Sequence, residues 1–145
     1  MSSAQLSDHH TAHLGMIQGI INRMAANAFA LKALAVTLAA AIIAITGTQQ
    51  NVPISVTYIG LFPVAIFWLM DAKYLRLEKL YRELYDHIRT GQEFEAFSMN
   101  TSTFNDKVSS TLRIAFSWSV IWFYLAVAAA LVAVSCMPTI LKEGV

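Results

Sequence analysis

The sequence predicts an all-α integral membrane protein with three transmembrane helices, the first two of which extend into a cytoplasmic helical hairpin. Three observations lead there. The chain of 145 residues is 57% hydrophobic and only 13% charged, where a soluble domain carries about 25% charged residues; its mean hydropathy is +0.54. Apolar runs recur at about 28–46, 54–70 and 114–137. Lysine and arginine concentrate on one side of those runs. The length suits one membrane domain, 14–145, behind a polar tail, 1–13.

The tail is expected to be mobile. It holds His9, His10 and His13, with Asp8 beside them. On a helix His9 and His13 would share a face, a metal-compatible spacing that a polar terminus explains as well, and no metal site is assigned. It has no basic start before a short apolar core, so it does not read as a signal peptide.

From Leu14 onward, Ile17, Ile21, Met24, Ala28, Leu31, Ala35, Leu38, Ile42 and Ile45 alternate spacings of three and four, the seam of a helix packed on a neighbour. Gln18, Asn22, Arg23 and Asn27 make the first half, 14–27, amphipathic. After Lys32 the polar side disappears. A span needs about 20 apolar residues, which the run reaches if Lys32 snorkels to the headgroups. Thr46 to Val52 reads as a turn, and Pro53 suits the first turn of the next helix. Gly60 and Pro63 predict a kink in the second span.

Charge then arrives at once, in DAKYLRLEKLYRELYDHIR. Phe67, Met70, Tyr74, Leu77, Tyr81, Leu84 and Ile88 carry the three–four spacing out of the span, so the second helix continues beyond the membrane. Lys79–Glu83 and Arg82–Asp86 are spaced to pair, and Gly91 is a helix stop. Ile20, Leu80 and Tyr85 widen the apolar stripe, so the 93–112 segment or another subunit should cover them. Phe94 and Phe97 are expected to anchor a short helix. Thr103 with Asp106 resembles a capping box for a third helix from about Asn105, which becomes the third span and ends at Pro138. Cys136, the one cysteine, reads as a small apolar residue.

Arg23, Lys32, Lys73, Arg76, Lys79, Arg82, Arg89, Lys107 and Arg113 fall on one side of this arrangement and Lys142 on the other. The positive-inside rule puts the N-terminus and the 71–112 region in the cytoplasm and the C-terminus outside.

No catalytic constellation stands out, and the chain is not expected to be an enzyme or to need a cofactor. Arg82-x-x-x-x-His87 has the spacing of the HEPN ribonuclease motif, but a charged helix face produces it readily. No span carries the mid-membrane ionisable group an ion-coupled transporter uses. A passive pore is compatible, with Thr37, Ile42, Ile45, Ser117 and Ser119 as candidate lining residues. Three spans enclose no water-filled path alone, so a pore requires several copies. Lys73, Arg76, Lys79, Arg82 and Arg89 are the candidate surface for an anionic signal, though interleaved acids dilute it.

The run LGMIQGIINRMAANAF entering one span, and FWLMDAKYLRLEKLYRELYDHIR leaving the next, resemble the SLATT-type membrane effectors of bacterial anti-phage systems, among them the Hailong-like channel effectors. The likeness covers about residues 14 to 90; the third span departs from a two-span plan. It implies a homo-oligomeric channel or membrane-disrupting effector of the bacterial inner membrane, opened to depolarise the cell by a nucleotide or oligonucleotide signal read in the cytoplasm. The alternative is an accessory anchor that recruits a neighbour-encoded cytoplasmic enzyme.

Overall fold

The computed structural model describes residues 3–48, 53, 55–91 and 97–143, with side chains described over 8–46, 53, 55–91 and 97–134. The described residues are helical, without a strand: α1 (Ser3–Thr48), α2 (Ser55–Arg89), a 3₁₀ turn (Ser102–Phe104), α3 (Thr111–Ala115) and α4 (Trp118–Glu143). Residues 49–52 of the expected turn, Phe94, and the side chain of Cys136 lie outside the described residues.

Helices α1 and α2 pack along most of their lengths. His10 meets Ile88, Lys32 meets Asp71, and Ile42 meets Gly60. One number rises as the other falls, so the two helices run antiparallel. The seam expected on α1 is the one formed: Ile17, Ile21, Ala28, Leu31 and Ala35 are buried. On α2 the expected seam forms at the charged end, where Leu84 and Ile88 are buried. Before that, Phe67, Tyr74, Leu77 and Tyr81 are only half-buried and Met70 is exposed, while Thr57, Gly60, Val64, Asp71 and Glu78 face inward. Apolarity alone missed those positions because they include small and acidic residues. Gly60 permits the close approach: a Cβ there would collide with Ile42 Cδ1.

Two apolar clusters result. One joins Ile17, Ile21, Leu80, Leu84 and Ile88 to Phe104, Val108 and Ile114. Leu80 is thus covered from within the chain, by the segment after α2. The other joins Ala35, Ala39 and Val64 to Val120, Tyr124, Val127 and Leu131 of α4.

Several boundaries differ from expectation. Helix α1 begins at Ser3 rather than Leu14, and His10 and His13 explain why. His10 Nε2 donates to Ile88 O and His13 Nε2 to Ser98 O, both at 3.0 Å. Ile88 O, at the end of α2, also accepts from Gly91 N, and Gly91 takes the left-handed conformation that favours glycine, at φ 74°. The rings of His9 and His13 pack on Phe97, whose own φ is 60°. The third helix starts at Thr111, not Asn105, because the cap is Ser110: its hydroxyl accepts from Arg113 N at 3.4 Å. Thr103 lies in the 3₁₀ turn. Helix α4 continues through Pro138 to Glu143 instead of ending there.

Between α3 and α4 the helix breaks at Phe116 and Ser117. Ser117 O restarts it by accepting from Val120 N and Ile121 N. The Ala115 carbonyl accepts from Trp68 Nε1 at 2.9 Å, tying α2 to the break.

Helices α1 and α2 are each long and apolar enough to cross a membrane. Only 22% and 28% of their apolar windows are buried within the chain.

Gly60→Leu is expected to lower stability in detergent by about 1–3 kcal/mol through overpacking, with Ile42→Ala in the same chain recovering part of the loss. Thermal melts of the single and double variants check this.

Candidate functional site

The three packed helices meet at a charged layer. Lys32 Nζ of α1 donates to Asp71 Oδ2 of α2 at 2.5 Å. Asp71 is fully buried, and the Lys32 side chain is 28% exposed. From α4, the buried Tyr124 hydroxyl lies within electrostatic reach of the same carboxylate. Neither that hydroxyl nor Asp71 Oδ1 closes a hydrogen bond among the described residues.

Local sequence explains the placement. Lys32 sits between Leu31 and Ala35 on the buried face of α1, and the small Ala28, Ala35 and Ala39 let α2 approach. Asp71 is the first residue after the apolar run of α2, but it turns inward beside the fully buried Ala72. Exposed apolar side chains lie near it in sequence on each helix: Phe29 at 74% and Met70 before the pair, and Phe116, Trp118 at 78% and Trp122 before Tyr124. Such residues match the aromatic belt at a membrane boundary. Lys32 therefore does not snorkel outward.

A buried ion pair loses several kcal/mol per ion on desolvation and recovers it only while both partners stay together. The layer thus behaves as a clamp: closed, it holds α1 against α2; neutralised, it leaves one charge without compensation in an apolar setting. It has no nucleophile and base arranged for catalysis. Among the described residues no group of three or more His, Cys, Asp or Glu could hold a metal ion.

Of the candidate signal residues, at about 100° per residue Lys73 lies roughly 180° from Arg82, whereas Arg76, Lys79, Arg82 and Arg89 share an arc of about 140° on α2. Arg76 donates to Ser109 O at 3.2 Å and Asn105 Oδ1 at 3.1 Å. Arg82 pairs with Glu78 at 2.7 Å, and Arg89 with Asp86 at 3.2 Å. These pairs replace the expected Arg82–Asp86 partnership. Lys73 and Lys79 are exposed. Arg82, Asp86, Gln18, Ile21 and Tyr85 line a shallow pocket of about 260 Å³. His87 packs on Phe104 rather than beside Arg82.

The candidate pore residues are dispersed. Thr37 is exposed, with its hydroxyl donating to Ala33 O. Ile42 turns towards Gly60, while Ile45 is exposed. Ser117 lies at the helix break with its Oγ buried and unsatisfied, and Ser119 is exposed.

Sequence reasoning missed the clamp. Its signal was present: one cation inside the first apolar run and one acid at the edge of the second, each of which implies a partner in so apolar a setting.

No known protein family, curated protein or solved structure matches this chain.

Lys32→Ala and Asp71→Ala are each expected to cost about 3–5 kcal/mol, because each strands a buried charge, whereas the double change Lys32→Met with Asp71→Leu is expected to be near neutral. A double-mutant cycle of unfolding in detergent measures the difference. Independent, additive losses would mean that the two side chains do not act as a pair.

Proposed function

We propose that this chain is a homo-oligomeric membrane channel, or membrane-disrupting effector, of the bacterial inner membrane. The observation that carries the reading is a buried ion pair joining two long helices, most of whose apolar windows are left uncovered by the rest of the chain. Uncovered faces of that length suit lipid and further copies of the chain. An ionic clamp between them is a two-state element that a signal can bias.

In this reading α4 crosses the membrane as a third span. The N-terminus and the charged half of α2 lie in the cytoplasm, where α1, α2 and the segment after α2 form the helical region that receives the signal. The C-terminus lies outside. The role in anti-phage defence rests on the resemblance to SLATT-type effectors. The engaged arginines of α2 favour a signal that must displace Glu78 or Asp86 to bind, such as a nucleotide or oligonucleotide phosphate. Membrane lipid and further copies are the constant partners.

Purified protein in liposomes is expected to be oligomeric and to pass ions weakly at rest. Asp71→Asn is expected to raise that leak and to depolarise expressing bacteria. A monomer that passes no ions, wild type and variant alike, would contradict the channel. If the same protein then retained a neighbour-encoded cytoplasmic enzyme on purification, the accessory-anchor reading would replace it.

A further inference from the structure

Helices α2 and α4 do not close on each other over their whole contact. Between them lies a groove of about 370 Å³ lined by Leu61, Val64, Trp68, Phe116, Tyr124 and Leu125, among others. It follows α2 from Leu61 to Trp68, a length of about 10 Å at 1.5 Å per residue. At its Trp68 end, Phe116 stands edge-on to the indole with ring centres 5.1 Å apart. One turn before Phe116, Arg113 is exposed on α3. Its side chain has no ion-pair partner among the described residues, and α3 carries no acid. Leu112, Phe116, Trp118 and Trp122, on the same stretch of α3 and early α4, are exposed.

We propose that this groove holds one acyl chain of an anionic phospholipid from the cytoplasmic leaflet, with the lipid phosphate on Arg113. The proposal rests on the membrane reading above. Groove and guanidinium are offered in the order a phospholipid presents its parts: a hydrocarbon slot, then aromatic rings at headgroup level, then an uncompensated cation. A helix from a second copy, about 10–12 Å across with its side chains, needs a broader trough than the gap between two helices that already touch. An extended acyl chain fits such a gap.

The chain supplies its own probe, because its three tryptophans are Trp68, Trp118 and Trp122, one in the groove and two beside its mouth. The protein is reconstituted in phosphatidylcholine vesicles containing a fixed minority of phosphatidylglycerol. Bromines are placed on the acyl chains of one lipid or the other, at matched mole fraction. Brominated phosphatidylglycerol is expected to quench tryptophan emission more strongly, with a relative affinity about fivefold above phosphatidylcholine. Arg113→Gln is expected to abolish that preference while leaving quenching by phosphatidylcholine intact. Ala128 also lines the groove, so Ala128→Phe, which fills it, is expected to reduce quenching by both, with helix content unchanged by circular dichroism. Equal quenching by the two lipids in the wild type, or a preference that survives Arg113→Gln, would overturn the site. Failure of the protein to float with the vesicles would instead overturn the membrane reading on which the site rests.

Discussion

The arrangement depends on one electrostatic constraint: the Asp71 carboxylate is held out of water, so an ammonium must stay beside it. Lys32 meets that need at 2.5 Å, and doing so sets the register between α1 and α2. With those residues opposed, Ile42 falls on Gly60 and His10 reaches the end of α2. A slip of one turn, about 5.4 Å, would separate the charges and bring Ile42 against a residue with a side chain. Apolar packing alone discriminates poorly between such registers, since alanines and leucines recur along both helices; a single buried charge pair discriminates strongly.

The same layer separates two kinds of surroundings. On one side of it α2 exposes Tyr58, Ile59, Phe62, Ile66 and Leu69. On the other it exposes Lys73, Lys79 and Arg82. The first set avoids water at little cost only in lipid or against other apolar surfaces; the second is solvated. Trp68 reinforces the boundary by bonding to the Ala115 carbonyl at the helix break. Helices α1, α2 and α4 are thus joined at the height where the exposed surface of α2 changes from apolar to charged.

How legible this was in the sequence differs between helices. The spacing of Ile17, Ile21, Ala28, Leu31 and Ala35 announced both α1 and its buried face, because the inward positions there are apolar apart from His13 and Lys32. The length of α2 was equally plain, but its inward face was only partly so, at Leu84 and Ile88. Asp71, Glu78, Gly60 and Thr57 look like surface or turn residues to any pattern based on hydrophobicity, and only the partner helix explains them. The start of α1 at Ser3 was hidden for a related reason: the polar residues before Leu14 are held by tertiary contacts of His10 and His13, not by a periodic stripe. The cap at Ser110 was recognisable as a residue type, yet Thr103 offered a competing signal seven residues earlier. Among the basic residues of α2, linear spacing conceals the helical rotation that sets Lys73 apart from the rest, and Arg82 and Arg89 are paired with acids on their own helix.

The most direct test of the central claim is a cysteine scan of exposed α2 positions in a Cys136→Ala background. Tyr58, Ile59, Phe62, Ile66, Leu69, Lys73, Lys79 and Arg82 are replaced singly and exposed to a membrane-impermeant maleimide on inside-out vesicles. The account predicts protection at every position up to Leu69 and labelling from Lys73 onward, with the change at Asp71. Labelling that instead extends from Tyr58 to Arg82 would describe a helix with a water-facing side throughout, and would contradict a membrane boundary at the Lys32–Asp71 layer.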